Sequence, residues 1–453
     1  MLGSERTLVV ARHHARRRAL SPADARALSW ILLGALVLRL VVVVVALARD
    51  TSASPDTITY VRPAESLIAT GRFDSHATPE LARTPGYPLL LAMGERLGAL
   101  AGVTLVAQAI LGTLTVWLVW RLAFAVGASA GVATIAALIY AVEPSSIIYA
   151  SKLLAETLFT TIVTALLLSL TAWANGGNRK ALVAAAALLA LGCYVRPVLY
   201  YAPPLLGGAI AIVGWRTGRS WRGALRDAAL FLMVAVVPLA AWRARNVSVA
   251  GYDGFAAIAD VNLLEWRAAG VIARRSGRPL AEVQQQLRRE SGGDTVLTGV
   301  DREARGWQRT ERYHAMRSRA RAILTRDPAA VLLDMASSAS QIVLGRDTSE
   351  WTHLLGIRPQ SPSWHVVRAL LTAAWLPVLA LAGIGLLRAR HRLLTLVPAL
   401  TVSAYLLIVS AGPEGYSRFR LPVVPFATVL AALGVVAVAT YVNERVAKRR
   451  NPR

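Results

Sequence analysis

Two carboxylates and several cations are spaced along this chain in a way that could do chemistry on a charged ester. Asp56 sits in Ser54-Pro-Asp-Thr-Ile-Thr-Tyr60, a few residues past an apolar run. Glu156 opens another apolar run, with Lys152 four residues before it. A carboxylate at the edge of an apolar phase is a candidate general base, because partial desolvation raises its pKa toward a useful range. Arg83, Arg196, Arg245, Arg418 and Arg420 lie beside apolar stretches or in the turns between them. Guanidinium groups recognise phosphate oxygens through a planar fork of donors. Carboxylates among several cations therefore suit a phosphate-bearing lipid: the cations hold the phosphate while a carboxylate takes a proton from an incoming nucleophile.

Each of these residues also has a plainer reading. Pro55-Asp56 is turn chemistry and could simply stop a helix. In Arg83-Thr-Pro-Gly-Tyr-Pro88 proline fixes φ and Gly86 permits positive φ, so the segment is stiff. It is either a re-entry turn or a mount that aims Arg83. Lys152 and Glu156, at i and i+4, are expected on one helical face, where an intrahelical pair would satisfy them, although Lys before Glu is the weaker order. An acid in a helix of Leu, Thr and Ala is costly and usually functional. Any single arginine could be an interfacial anchor. Arg39, inside the first apolar segment, costs about 2.5–3.5 kcal/mol to insert, so it is expected to face the bundle and to have a partner.

The elements that must position these groups are membrane helices. The chain has 453 residues, 55% hydrophobic and only 17% charged. Apolar runs recur at the length that crosses a bilayer, giving spans at about 28–48, 103–125, 130–149, 153–174, 181–196, 198–214, 227–247, 364–387, 393–411 and 421–441. About ten crossings put both termini in the cytoplasm, and the basic loops at 178–180, 215–222 and 388–392 and the tail at 448–450 then fall inside. Charge of +24 would suggest nucleic acid in a soluble protein, but much of it flanks apolar segments, and no nucleic-acid partner is expected. The single cysteine, Cys193, excludes an intrachain disulfide, and neither it nor the seven histidines have metal-site spacing.

The basic stretch Arg12–Arg18 resembles a signal n-region, but the following segment is too long and lacks a cleavage site, so it is a retained first helix. The expected organisation is a basic N-terminus (1–27), an N-terminal membrane module (28–247) with a first outer loop (49–102), a long outer loop (248–363), C-terminal membrane helices (364–441) and a basic tail (442–453). Short helices are expected from Leu89 to Ala101, Glu282 to Glu290 and Arg309 to Leu324, with 327–344 either interfacial or a further crossing. No internal repeat is visible, which counts against repeat-built transporters.

The ordered motifs resemble a known family. Asp56 and Tyr60, then Ala64 to Leu67, Thr70-Gly-Arg-Phe73 and Arg83-Thr-Pro-Gly-Tyr-Pro-Leu-Leu-Leu91, are similar to the opening of the bacterial GT-C glycosyltransferases related to protein O-mannosyltransferases and lipid A aminoarabinose transferases. Glu143-Pro144 with Tyr149-Ala-Ser-Lys-Leu-Leu-Ala-Glu-Thr-Leu-Phe159, Arg196-Pro197, Trp242-Arg-Ala-Arg-Asn246 with Gly251 and Asn262-Leu263, and Arg418-Phe-Arg-Leu-Pro-Val-Val-Pro425 follow in the family's order.

The resemblance implies an all-α polytopic membrane enzyme of the inner membrane, with an extracytoplasmic site and inverting transfer of a sugar. The donor would be a polyprenyl-phosphate sugar, the acceptor a lipid, glycan or protein, and membrane lipid the surrounding partner. Asp56 takes the position of the base and Glu156 the second acidic position. Arg83, Lys152, Arg196, Arg245, Arg418 and Arg420 would bind the donor phosphate, and Tyr60, Pro85, Gly86, Tyr87 and Asn246 would shape the site.

No cofactor is assigned outright; a divalent cation, Mg or Mn, would have Asp56 and Glu156 as ligands. Many members carry paired acids in the first loop, whereas Thr57 follows Asp56 here, which weighs against metal use. The last helix lies close to the end of the sequence, so no separate C-terminal acceptor-binding domain is expected. The arginine-rich 248–363 loop is expected to meet an anionic acceptor or lipid surface. A lipid-linked-sugar flippase, which would also need phosphate-binding cations, is the rival reading, and a non-catalytic envelope partner a third.

Overall fold

The computed structural model describes residues 21–291, 306–413 and 415–450, apart from the side chains of 306–308, 448 and 450. The basic N-terminal stretch Arg12–Arg18 lies outside the described residues. Helices run α1 (Pro22–Ala48), α2 (Thr57–Thr70), α3 (Gly86–Arg96), α4 (Leu100–Ala125), α5 (Ala130–Ala141), α6 (Pro144–Ala150), α7 (Glu156–Gly176), α8 (Arg179–Val195), α9 (Ala202–Arg216) and α10 (Trp221–Ala250). A segment from Ile258 to Ser276, helical with a π turn at Leu263–Ala268, is followed by α11 (Leu280–Glu290), α12 (Gly306–Arg326), α13 (Pro328–Leu344), α14 (Thr348–Leu355), α15 (Pro362–Arg388), α16 (Leu393–Ser410) and α17 (Val424–Arg450). The only strands among the described residues are the two-residue pair Asp74–Ser75 and Thr78–Pro79.

The ten expected crossings all fall on helices, that at 130–149 on the pair α5 and α6 and that at 421–441 on a helix that runs on to Arg450, but fewer pass as spans by length and apolarity. Six stretches are long and apolar enough, and up to eight if two bent pairs each count as one span. One of the six, Pro362–Ser410, contains both α15 and α16, joined through Ala389–Arg392. Helices α8 and α9, at 17 and 15 residues, fall short of the roughly 20 residues that a bilayer asks of a straight helix.

The bent pairs have identifiable causes. Pro144 has no N–H to continue α5, and the chain turns by 53° between α5 and α6. The break frees the Ala141 carbonyl, and Arg39 supplies a donor to it at 3.2 Å. Arg39 is fully buried, also bonds Ser146 Oγ at 2.9 Å, and packs where a Cβ on Gly112 would lie 2.7 Å from its Nε. The intramembrane arginine thus faces the bundle, as expected, and its hydrogen-bond partners are the Ala35 carbonyl of its own helix (3.1 Å) and oxygens of the broken α5–α6 pair. The second bend, 44° between α13 and α14, is centred on Asp347, whose backbone is left-handed at φ 49°.

Helices α15 and α17 pack at backbone distance. A Cβ on Gly385 would run into the Leu430 carbonyl, and one on Gly434 into that of Leu381. Small residues at such crossings are the usual solution where lipid removes the hydrophobic drive for association.

In the segment between α1 and α4, helix α3 starts at Gly86, earlier than expected, and α4 itself already at Leu100. Gly86 does not take positive φ. Its requirement is space: a Cβ there would lie 2.7 Å from the Tyr194 carbonyl oxygen. The loop before it is pinned from two sides. Glu80 accepts hydrogen bonds from the N–H groups of Ala82 (2.6 Å) and Arg83 (2.8 Å), and Arg245 donates to the carbonyls of Glu80 (2.8 Å) and Phe73 (3.1 Å).

The arginine-rich 248–363 region uses much of its charge internally. Arg274 pairs with Asp334, Arg275 with Asp327, Arg288 with Glu265, Arg317 with Asp253 and Asp260, and Arg319 with Glu290. These pairs tie its short helices to one another, so those arginines are not simply a free anionic-surface patch.

Candidate active site

Asp56 precedes the first turn of α2, but its carboxylate does not cap that helix. Helix α1 has already ended at Ala48. Local order comes instead from Thr57, whose hydroxyl accepts the Ser54 N–H at 2.9 Å and donates to the Leu153 carbonyl at 3.1 Å. The position where a second acid is often found is thus a structural tie here, and the Asp56 side chain is left to face the arginines.

Two guanidinium groups hold that carboxylate. Arg418 Nη2 donates to Oδ2 at 2.9 Å and Arg83 Nη2 to Oδ1 at 3.4 Å. Arg83 is itself oriented by Thr59 Oγ1 (2.9 Å), by the Tyr60 hydroxyl (3.1 Å) and by the Tyr60 ring, 4.3 Å from its Cζ. Glu156, buried at the N-terminus of α7, receives Arg196 Nη1 at 2.9 Å and lies 3.8 Å from Arg418 Nε. Arg418 therefore bridges the two carboxylates. Arg196 lies near the rings of Phe159 and Phe419, at 5.7 and 5.5 Å.

This arrangement reverses the expected pKa. Burial pushes the Asp56 carboxyl up, but Arg83, Arg418 and Arg196 together outweigh it, and the group sits below its ordinary value. Asp56 is an ionised carboxylate in a cationic setting, not one raised by an apolar surface.

The remaining expected site residues fall around this cluster. Tyr87 packs edge-on against Tyr60, with ring centroids 5.1 Å apart, and donates to Gln108 at 2.9 Å; Pro85 and Gly86 begin the helix that carries it. Lys152 is not on a helical face with Glu156, because α7 begins at Glu156. Its ammonium is buried against the Thr51 carbonyl (2.8 Å) and Glu350 (2.9 Å). Arg420 is buried too, bonded to the carbonyls of Gly345 and Ile342 and to Ser145 Oγ, and 3.7 Å from Asp347. Asn246 donates to the carbonyls of Gly254 and Phe255. Lys152, Arg245, Arg420 and Asn246 thus have their polar groups engaged with the scaffold.

Sequence reasoning missed Glu80, Glu350 and Asp347. Asp347 accepts from Ser145 (2.6 Å), Tyr149 (3.1 Å) and Ser417. It fastens the α13–α14 bend to α6 and to the turn carrying Arg418. The one available signal was an acid in Gly345-Arg-Asp347, directly after an apolar helix.

The donor set does not fit Mg or Mn. Asp56 faces two arginines, Glu156 faces one and lies near another, and among the described residues no group of three or more His, Cys, Asp or Glu side chains converges. The arginines occupy the place a dication would need. Beside them opens a cavity of about 470 Å³, with Tyr60, Arg83 and Arg196 among its polar lining residues and Met335, Leu406 and Phe419 among its apolar ones.

No protein-family model matches this chain, and no curated protein is similar to it in sequence. Solved structures share its fold. The archaeal oligosaccharyltransferase AglB from Archaeoglobus fulgidus, in complex with an inhibitory peptide and a dolichol-phosphate, matches with a TM-score of 0.52 and 13% identity. The match covers 94% of this chain and 52% of that one. The apo form of the Archaeoglobus fulgidus oligosaccharyltransferase gives 0.52 at 12% identity, with the same coverage. A looser likeness, with a TM-score of 0.40 and 16% identity over 90% of this chain and 78% of that one, is to ArnT from Cupriavidus metallidurans bound to undecaprenyl phosphate. The chain spans about half the length of the oligosaccharyltransferases it matches. Its fold is that of the oligosaccharyltransferase structures over the half of their length that it spans, all-α and polytopic.

Proposed function

We propose that this protein transfers a sugar from a polyprenyl-phosphate donor to an acceptor at the extracytoplasmic face of the inner membrane. The observation that carries this is the junction of a cationic cluster with an apolar cavity: Arg83 and Arg196, which line it, suit a phosphate, and its apolar walls suit a lipid chain. Arg83, Arg418 and Arg196 hold the donor phosphate. Lys152, Arg245 and Arg420 support the segments around them. Asp56 takes the proton of the acceptor hydroxyl as its oxygen bonds to the anomeric carbon. The bond from that carbon to the phosphate oxygen breaks with inversion, and polyprenyl phosphate leaves with its charge on the arginines.

A carboxylate held down by arginines is a weak base until something else claims them. Donor phosphate competes for Arg83 and Arg418, which loosens their hold on Asp56 and raises its basicity when donor is present. The sign follows for the pH profile. Asp56 is depressed in the free enzyme, so kcat/KM is retained as pH falls through the ordinary carboxylate range and is lost only below it. In kcat, which reports the donor complex, the acid limb lies at higher pH. Coincident limbs, or the reverse order, would contradict this.

Binding of the lipid phosphate is tested separately. Undecaprenyl phosphate added to purified protein in detergent is expected to raise Tm, and undecaprenol to do so much less. Arg83→Ala/Arg418→Ala should lose the difference between the two lipids. Equal stabilisation of that variant by the phosphate would remove these arginines from the site. A lipid-linked-sugar flippase would also bind the phosphate, but would not depend on Asp56 as a base.

A further inference from the structure

A second cavity, of about 380 Å³, shares Pro197, Tyr201, Ala259 and Leu263 with the apolar one, so the two are neighbours along one wall. Its size falls within the roughly 300–1,000 Å³ of small-ligand pockets. Its chemistry is different from its neighbour's. Tyr200 stacks on the buried Phe255, with centroids 4.8 Å apart and planes 17° apart, and Tyr201 stands at the rim, 68% exposed. The same lining carries a fixed polar array. Arg317 donates to both oxygens of Asp260 (2.8 and 2.9 Å) and to Asp253 Oδ1 (2.7 Å). Tyr252 donates to Asp260 at 2.6 Å, and Arg243 to the Asp253 carbonyl at 3.0 Å. Arg321 completes the lining.

We propose that this cavity is a saccharide site that seats the acceptor as a glycan. The inference rests on the sugar-transfer reading above and names the substrate class that reading left open. A pyranose presents an apolar C–H face that stacks on an aromatic ring, and hydroxyls that donate and accept at once. An exposed tyrosine at the rim, with carboxylate acceptors and guanidinium donors already locked in place, meets both demands. A lipid chain here would take a charged array out of water and offer it no hydrogen bond in return. A phosphate would find Arg317 already neutralised by two carboxylates. Pro197 directly follows Arg196 and lines both cavities, so a glycan held here sits beside the donor cavity rather than apart from it. Leu263, which lines both cavities, opens the π turn, an irregularity frequent at functional sites.

The test uses full-length protein in detergent without donor. Saturation-transfer NMR is recorded against a panel of soluble disaccharides built from hexoses, pentoses and amino sugars, and against a serine- and threonine-bearing peptide. At least one disaccharide is expected to receive saturation. Its signal should fall at least fivefold in Tyr201→Ala/Arg321→Ala and recover in Tyr201→Phe/Arg321→Lys. No signal from any disaccharide, an undiminished signal in the alanine variant, or a signal from the peptide alone would overturn the proposal. The readout needs no turnover, so saccharide binding by a protein that transfers nothing would sink only the transferase reading.

Discussion

Asp56→Asn is expected to abolish transfer while the protein still folds and still takes up donor. Asparagine has nearly the shape of aspartate, and Asp56 does not cap its helix, so α2 loses no cap. What is lost is the ability to accept a proton, a contribution of about 10²–10⁴-fold where a positioned base operates. The loss should fall on kcat. Donor affinity should hold or rise, because the substitution removes the anion with which a phosphate competes for Arg83 and Arg418. This separates the base from a merely structural carboxylate, whose loss would lower Tm and weaken donor binding together. Measurement of kcat, donor KM and Tm on one preparation decides between them.

Arg418→Ala carries the second large effect, and it should look different. Arg418 touches Asp56 at 2.9 Å and approaches Glu156 at 3.8 Å, so no other described side chain pairs with both acids. Its removal costs the leaving phosphate a donor, worth about 10²–10³-fold in transfer by analogy with lost oxyanion donors. Donor binding should weaken in parallel. Arg418→Lys is not expected to rescue, since one ammonium cannot present two donors to two separate carboxylates. Arg420→Ala provides the contrast. It takes the guanidinium donor from the buried carbonyls of Gly345 and Ile342 and the counter-charge from Asp347, so it should lower Tm before it changes the chemistry of the folded fraction. Near-normal transfer by Arg418→Ala would remove Arg418 from the phosphate site.

The parts of this site that were legible in the sequence are those with a local signature. Apolar runs located the helices, and ordered short motifs picked out Asp56, Arg83, Glu156, Arg196 and Arg418, which the fold brings together from segments far apart in the chain. What was not legible depends on distant partners. Lys152 and Glu156 have the spacing of a helical pair, but the helix starts at Glu156, and Lys152 finds Glu350 nearly two hundred residues away. Arg245 and Arg420 look like phosphate ligands in sequence because nothing local shows that backbone carbonyls will take their donors. Gly86 was credited with the wrong property, since its need for space comes from the neighbouring helix α8 and not from its own φ. The lowered pKa of Asp56 was likewise hidden, because burial alone argues the opposite sign until the arginines are placed.

The measurement that bears most directly on the central claim is mass spectrometry of envelope glycans and lipid-linked sugars in cells with the wild-type gene, with the gene deleted, and with Asp56→Asn expressed at wild-type level. Deletion and Asp56→Asn should lack the same sugar from the same acceptor and accumulate the same polyprenyl-phosphate sugar. An acceptor that keeps its sugar in Asp56→Asn but loses it in the deletion would contradict catalysis by Asp56, and unchanged glycans in both strains would contradict the transferase itself.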